Sequence, residues 1–340
     1  MPTPPSDPRK TRIFFTYKHI SEPWGGTNNF VRSLHSEIIN QGDFEFAGSL
    51  EDDYDIVFMN QLALGPGNGS RKIELDRIKT IKNWARQCGS PRRLIVRAVN
   101  LKQHSDRPGI RAYLSYLSRR AQDGEIIDLL HLADLVIFQS NYQKSVFSKY
   151  GYRGTKDTVI HNGADHAFLG HAIHPKPMSR TIRFVSSGTN RFSKRHDLIA
   201  ALSEIPGVEV IHLGGWPDNV RTRKVVCKGM VTSKEMVEVY RDAHYFFFPA
   251  VLDMCPNSVV EAISVGLPVI YNPGPGSSRE IVGDNGMSLD EDDLAATVEE
   301  ARDRYASLVD NVRKNQGYYS ITRASSEYLK AFRNSCNLRG

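Results

Sequence analysis

YFFFPAVLDMCPNSVVEAISVGLPVI, residues 245–270, is the stretch on which the fold is decided. It opens with an apolar run, 245–249, of the length of a buried strand. A loop carrying Asp253 follows and ends at Pro256. Asn257 is a good helix N-cap, because its side chain can accept from the first free backbone N–H groups. Residues 258–265 then read as a short helix, and Gly266 suits a left-handed exit from it. Residues 267–271 are apolar again and predict a second buried strand. Strand, loop, helix and strand in this order make a parallel crossover unit. Its loop lies at the carboxyl edge of the sheet, where such folds bind ligands. The free N–H groups and the positive dipole end at the helix start form a seat for phosphate. Glu261 falls four residues after Asn257, on the same helix face, and helical side chains lean back towards the N-terminus. A carboxylate there is ill suited to holding phosphate and well suited to accepting hydrogen bonds from neutral hydroxyls, such as a ribose diol. Taken alone, a glutamate at a helix start is more often a solvated surface side chain.

Upstream of this unit, 182–186 predicts a strand and 188–195 a polar loop with Arg191, Lys194 and Arg195. A helix over 197–205, a strand over 208–213 ending in Gly214-Gly215, a short strand over 225–228 ending at Gly229, and a Ser-capped helix over 233–243 follow. Downstream, one or two polar helices over 292–315 and a last helix over 321–334 complete the series. The first half repeats the alternation. Strands are predicted over 12–17, 54–59, 92–99, 135–139 and 158–161, and helices over about 29–40, 71–87 and 141–150. Between the first strand and helix, Gly25-Gly26 would let a ligand approach the backbone closely. The loop 65–69, GPGNG, matches neither GxGxxG nor the Walker pattern and reads as a flexible connection. His104, just past a strand end, is a candidate acceptor contact, though a lone loop histidine is usually nothing more.

The chain has 340 residues, enough for two domains, with 40% hydrophobic and 24% charged residues, as in a water-soluble globular protein. No apolar run approaches the roughly 20 residues of a membrane helix. The leader MPTPPSDPRKTR lacks a signal peptide's apolar core, which points to the cytoplasm. The four cysteines are scattered without a CxxC pair, so neither a disulfide framework nor a zinc site is indicated. Cys255, within the central loop, reads as a small apolar filler. The formal charge is +6, and most of the excess sits in the first half. There the basic stretch 71–87 could lie on the inner face of a membrane as a peripheral contact. Packing on its own domain is the favoured reading. No nucleic-acid-binding signature is present, so nucleic acid is not an expected partner.

Five segments, taken in order, resemble glycosyltransferase family 4, the retaining sugar transferases of GT-B fold. These are WGGTNNFV, IHNGADHAF, FVSSGTNRFSKRHDLI, VVCKGMVTSKEMVEVYRDAHYFFFPA and DMCPNSVVEAISVGLPVI. The last resembles the family's E-x7-E segment. The resemblance implies two Rossmann-like α/β domains, each with a doubly wound parallel sheet, facing a cleft. The boundaries we expect are 1–168 for the acceptor domain and 169–318 for the nucleotide-sugar domain. Residues 319–340 are expected to form a C-terminal helix that crosses back to the first domain. It also implies site residues. Glu261 is the second carboxylate and binds the nucleotide ribose. Asp253 stands at the first position, where glutamate is usual, near the donor sugar. Lys194 grips the donor diphosphate. The family's arginine lies where this chain has Gly188-Thr189, and Arg191 is the candidate substitute. The backbones of Asn257 and Ser258 meet phosphate, Gly229 and Met230 lie beside the base, and Gly25 and Gly26 lie near the diphosphate or acceptor.

The function so implied is transfer of a sugar from a nucleoside diphosphate sugar to a glycan, a lipid carrier or a small metabolite, as in polysaccharide biosynthesis. Neither cofactor nor metal is implied. Two other classes stay open: a sugar-nucleotide epimerase or phosphorylase on the same fold, and a non-catalytic module that binds a sugar nucleotide. A nicotinamide-dependent dehydrogenase is disfavoured, because GxGxxG is absent from both halves.

Overall fold

The computed structural model describes residues 10–21, 25–49, 52–63, 92–105, 112–171 and 175–337. The expected basic helix 71–87 and the loop 65–69 lie outside the described residues. Two parallel six-stranded sheets form the framework. The first holds β1 (Thr11–Phe15), β2 (Phe44–Phe46), β3 (Ile56–Asn60), β4 (Arg93–Arg97), β5 (Leu135–Phe138) and β6 (Asp157–Val159), in the order β2-β1-β3-β4-β5-β6. The second holds β7 (Ile182–Gly188), β8 (Val208–Gly214), β9 (Val225–Cys227), β10 (Tyr245–Phe248), β11 (Val269–Tyr271) and β12 (Gly286–Ser288), in the order β12-β11-β10-β7-β8-β9.

The strand order reverses between β1 and β3 in one sheet and between β7 and β10 in the other. Crossovers leave such a point in opposite directions, so a crevice opens at the carboxyl ends of those strands. The loops after β7 and β10, which carry Lys194 and Asp253, therefore meet at the second sheet's crevice. Strands β3, β10 and β11 are buried at every position. This follows from helices covering both faces of a parallel sheet, which calls for continuous apolar runs. The three-residue edge strands β2 and β12 escape a sequence reading, because so short a segment shows no periodicity.

Several predicted boundaries shift. The first helix, Gly25–Gln41, begins four residues before the expected 29, so Gly26 lies in its first turn. The helix Ser233–Asp242 is capped by Thr232, whose hydroxyl accepts from Glu235 N while Glu235 reaches back to the Thr232 N–H. That reciprocal pair outcompetes the expected Ser233 cap.

The chain crosses between the domains twice, side by side. At the first crossing, Ala164 N donates to Tyr319 O at 2.7 Å, and at the second, Ile321 N donates to Ala164 O at 3.0 Å. A Cβ on Gly163 would sit 2.3 Å from the Ser320 carbonyl oxygen, so the Asn-Gly turn needs glycine for close approach. Past this point the last helix, Ile321–Asn337, returns to the first domain. Ile321, Ala324, Tyr328, Leu329 and Phe332 share one fully buried face and pack on Ile13, Phe30, Leu34 and Phe58. The spacing is that of an amphipathic stripe. Truncating Phe332 to Ala should therefore cost the first domain about 3–5 kcal/mol. Urea unfolding checks this, and a loss below about 1 kcal/mol would contradict the packing.

Candidate active site

The predicted site residues assemble in two groups. The first group is at the β7–β10 crevice. Past β7 the chain makes a 3-10 turn, Phe192–Lys194, and Val251 N donates to Ser193 O at 2.9 Å, tying this loop to the one after β10. Lys194 Nζ lies over the Phe248 ring at 5.2 Å and pairs with Asp253 Oδ2 at 2.8 Å. Lys194 thus already holds an anionic partner. Leu252, next to Asp253, sits at φ +62°, held by its own N–H bond to Pro275 O at 2.5 Å and by Ser277 N donating to Asp253 O at 2.9 Å. A leucine in the left-handed region stores on the order of 1 kcal/mol, and such strain gathers at working loops. Gly188 O accepts from Gly215 N at 2.9 Å, and Gly214 N donates to Gly229 O at 2.7 Å, so the ends of β7, β8 and β9 are linked. Met230, just beyond, is 76% exposed. The Arg191 side chain is exposed and enters none of these contacts.

The second group lines the interdomain cleft: Gly26 and Ser33 from the first domain, Asp165 from the joint, and Ser233, Asn257 and Glu261 from the second domain. Asn257 does not act as the expected N-cap. Pro256 takes the cap position with no side-chain cap bond, and helix Asn257–Val265 starts one residue early. The Asn257 amide is used elsewhere. Its Oδ1 accepts from Asn162 Nδ2 at 2.7 Å, and its Nδ2 faces Gly26, where an added Cβ would come within 2.2 Å. Ser258 lies half-buried in the same first turn. Gly266 leaves the helix at φ +101°, in the left-handed conformation expected.

Glu261 is half-buried, and among the described residues no hydrogen bond reaches its carboxylate. Burial, with the like charge of Asp165 second, pushes its pKa up to about 7. Asp165 itself accepts from Ser33 Oγ and from Ala167 N. A partly buried carboxylate lining the cleft is the opposite of a solvated surface glutamate. It is available to accept from a ligand hydroxyl.

His104 bonds to Tyr142 OH at 3.0 Å, and burial lowers its pKa, so it is a neutral partner in the first domain. Cys255 is buried and its thiol is pushed up to about 12 by burial, in keeping with an apolar filler. Among the described residues no group of three or more His, Cys, Asp or Glu is placed to hold a metal ion, and no helix is long and apolar enough to cross a membrane.

Residues 168–306 match the family described as Glycosyl transferases group 1. That match lies within the second domain. The solved structures agree in fold over nearly the whole chain. Sucrose-phosphate synthase from Thermosynechococcus elongatus superimposes with a TM-score of 0.69 at 13% identity, over 96% of this chain and 99% of that one. The Anabaena protein HepE, solved with UDP and glucose, gives 0.65 at 14% identity, over 95% and 100%. WaaG, a glycosyltransferase of lipopolysaccharide biosynthesis, gives 0.59 at 14% identity, over 93% and 99%. The architecture is therefore GT-B. No curated protein matches the sequence.

Around the group 1 domain the structure recruits residues that sequence reading passed over. Glu280, on helix Ser278–Val282, reaches the first domain and accepts from Asn141 N at 2.8 Å, Tyr142 N at 3.1 Å and His161 Nε2 at 2.8 Å. It thus sits on the positive end of helix Asn141–Lys149, where a carboxylate is favoured, and these bonds hold its pKa below the usual range against burial. Asn162 and the buried Arg97 stand behind Asn257. One signal was legible for Arg97: an arginine closing an apolar strand.

Two outcomes test this geometry. Gly26→Ala should leave the melting temperature unchanged or slightly raised, since alanine suits a helix turn better than glycine. It should nonetheless displace the Asn257 amide, whose Nδ2 an added Cβ would meet at 2.2 Å, so the Asn257 side-chain NMR signal should shift. An unchanged signal would refute the close contact. For Glu261, the unfolded carboxyl titrates near 4.5 and the folded one near 7. The folded form then binds the extra proton, and stability falls as pH rises through that window. Glu261→Gln should remove this dependence and stabilise the free protein at pH 8 by about 1–3 kcal/mol. Thermal unfolding against pH reads it, and parallel curves for the two proteins would contradict it.

Proposed function

We propose that the protein is a retaining glycosyltransferase that moves a sugar from a nucleoside diphosphate sugar to an acceptor. The observation that carries this reading is the joint placement of Lys194, the start of helix Asn257–Val265 and the Glu261 carboxylate in a group 1 domain, with Gly26 closing the cleft opposite. The helix start and Lys194 offer positive charge to the departing diphosphate, and such preorganised charge lowers the barrier where negative charge develops. Glu261 accepts from the ribose hydroxyls. In the free protein Asp253 holds the Lys194 amine. A diphosphate carries more negative charge than one carboxylate, so donor entry re-partners Lys194 and releases Asp253 towards the sugar. With charge supplied this way, no metal is called for. The backbone at Ser258 adds to the phosphate seat, and Gly229 and Met230 border the base. The UDP and UDP-glucose bound in the HepE structures make UDP the first donor nucleotide to try. The acceptor is a glycan, a lipid-linked sugar or a small metabolite met by the first domain.

A thermal-shift screen with UDP, GDP and ADP comes first, since a ligand at about 100 times its dissociation constant stabilises the fold by about 2.7 kcal/mol. Turnover of the matching sugar nucleotide should then persist in excess EDTA. Loss of turnover restored by magnesium would overturn the metal-free reading. Glu261→Ala should weaken donor binding about tenfold to a hundredfold, with a smaller fall in the saturated rate. Asp253→Asn should do the reverse. Donor binding with no turnover on any acceptor would favour a non-catalytic sugar-nucleotide module, a reading that the Lys194–Asp253 pair keeps in view.

A further inference from the structure

Arg97 closes the central strand β4 and is 1% exposed. Among the described residues no carboxylate pairs with it. Its Nη1 donates to Asn60 Oδ1 at 2.8 Å, and its Nη2 donates to Gln139 Oε1 at 2.6 Å and to Asn162 Oδ1 at 3.0 Å. The guanidinium stacks on the Phe30 ring at 4.6 Å, and its buried Nε has no acceptor among the described residues. Burying a cation against neutral dipoles alone is costly, and an apolar side chain of similar size would fill the space more cheaply. The charge therefore calls for an explanation beyond packing.

The hydrogen bonds supply one. A guanidinium only donates, so the amides beside it must present their oxygens. With Oδ1 turned to Arg97, Asn162 must point its Nδ2 the other way. That nitrogen donates to Gln139 Oε1 at 2.9 Å and to Asn257 Oδ1 at 2.7 Å. Gln139 is held in the same sense by its Nε2, which donates to Ala98 O at 2.6 Å. Asn257 Oδ1 is thereby taken, and its Nδ2 is left facing Gly26 in the cleft. One buried cation thus sets the polarity of an amide chain that runs from the core of the first domain to the first turn of the second domain's helix.

We propose that Arg97 is a positioning residue that, through Gln139 and Asn162, holds Asn257 Nδ2 as a hydrogen-bond donor to the diphosphate of the sugar donor. The inference rests on the donor class given above and deepens it. It adds a side-chain N–H to the backbone N–H groups of that helix start. It also makes the seat complete only when the two domains are closed, because Arg97 and Asn162 belong to one side and Asn257 to the other.

The test reverses the polarity and keeps the charge satisfied. In Asn162→Asp the new carboxylate pairs with Arg97, so the protein should melt no lower than wild type. The carboxylate cannot donate to Asn257, whose amide then turns and presents oxygen to the cleft. Affinity for whichever of UDP, GDP or ADP the wild type binds should fall at least about tenfold, the range for hydrogen bonds to a charged group. Affinity for the corresponding nucleoside, which lacks phosphate, should not change. A purely structural role would move the melting temperature and leave the ratio of the two affinities alone. A folded Asn162→Asp variant that binds the diphosphate as wild type does overturns the inference and leaves the functional reading standing. Wild-type protein that binds none of the three diphosphates overturns both. Should Asn162→Asp not fold, the side-chain amide signal of Asn257 in the wild-type NMR spectrum decides. It should shift with the diphosphate and not with the nucleoside, and a signal that does neither counts against the proposal.

Discussion

Two helices of different domains meet start to start at Gly26 and Asn257, and the cleft exists because that approach is sterically allowed. Both helices lack acidic residues in their first turn. Their positive ends therefore face a common slot with no internal carboxylate in either first turn to offset them, an arrangement that favours an anion there. The closed arrangement has to be held from elsewhere. The last helix does this by burying Tyr328, Leu329 and Phe332 in the first domain's core, and Glu280 adds a carboxylate to the start of helix Asn141–Lys149. The closing contacts thus lie away from the slot, which leaves the slot's own donors for a ligand.

Charge is arranged in the cleft by position along one loop and one helix. Asp253, before the helix, is neutralised by Lys194. Glu261, one turn into it, has no cation paired with it among the described residues and lies near Asp165, and burial raises its pKa. A pair of carboxylates eight residues apart is thereby given two different environments. One can be exchanged for a ligand anion and the other is suited to hydroxyls. The second arrangement costs stability in the free protein, a common feature of binding sites that await a partner. Strained backbone at Leu252 lies on the same loop.

The sequence by itself determined the layering and the region of the site. The apolar runs of β10 and β11, the helix between them and Gly266 at its end follow from local rules that hold within a dozen residues. The spacing of Asp253 and Glu261 placed both carboxylates at a strand's carboxyl end before any contact was known. The edge strands β2 and β12 were not legible, because their pairing partners define them and their own pattern does not. Only the tertiary structure decided how polar side chains are shared out. Local chemistry makes Asn257 a cap; the fold instead brings Asn162 within 2.7 Å and takes its oxygen. Local chemistry makes Lys194 a free cation, and the fold sets Asp253 beside it. Each side chain has several partners it could accept, and which one arrives depends on how segments far apart in the chain are packed together. That is set by the sum of the buried core and not by the residue itself.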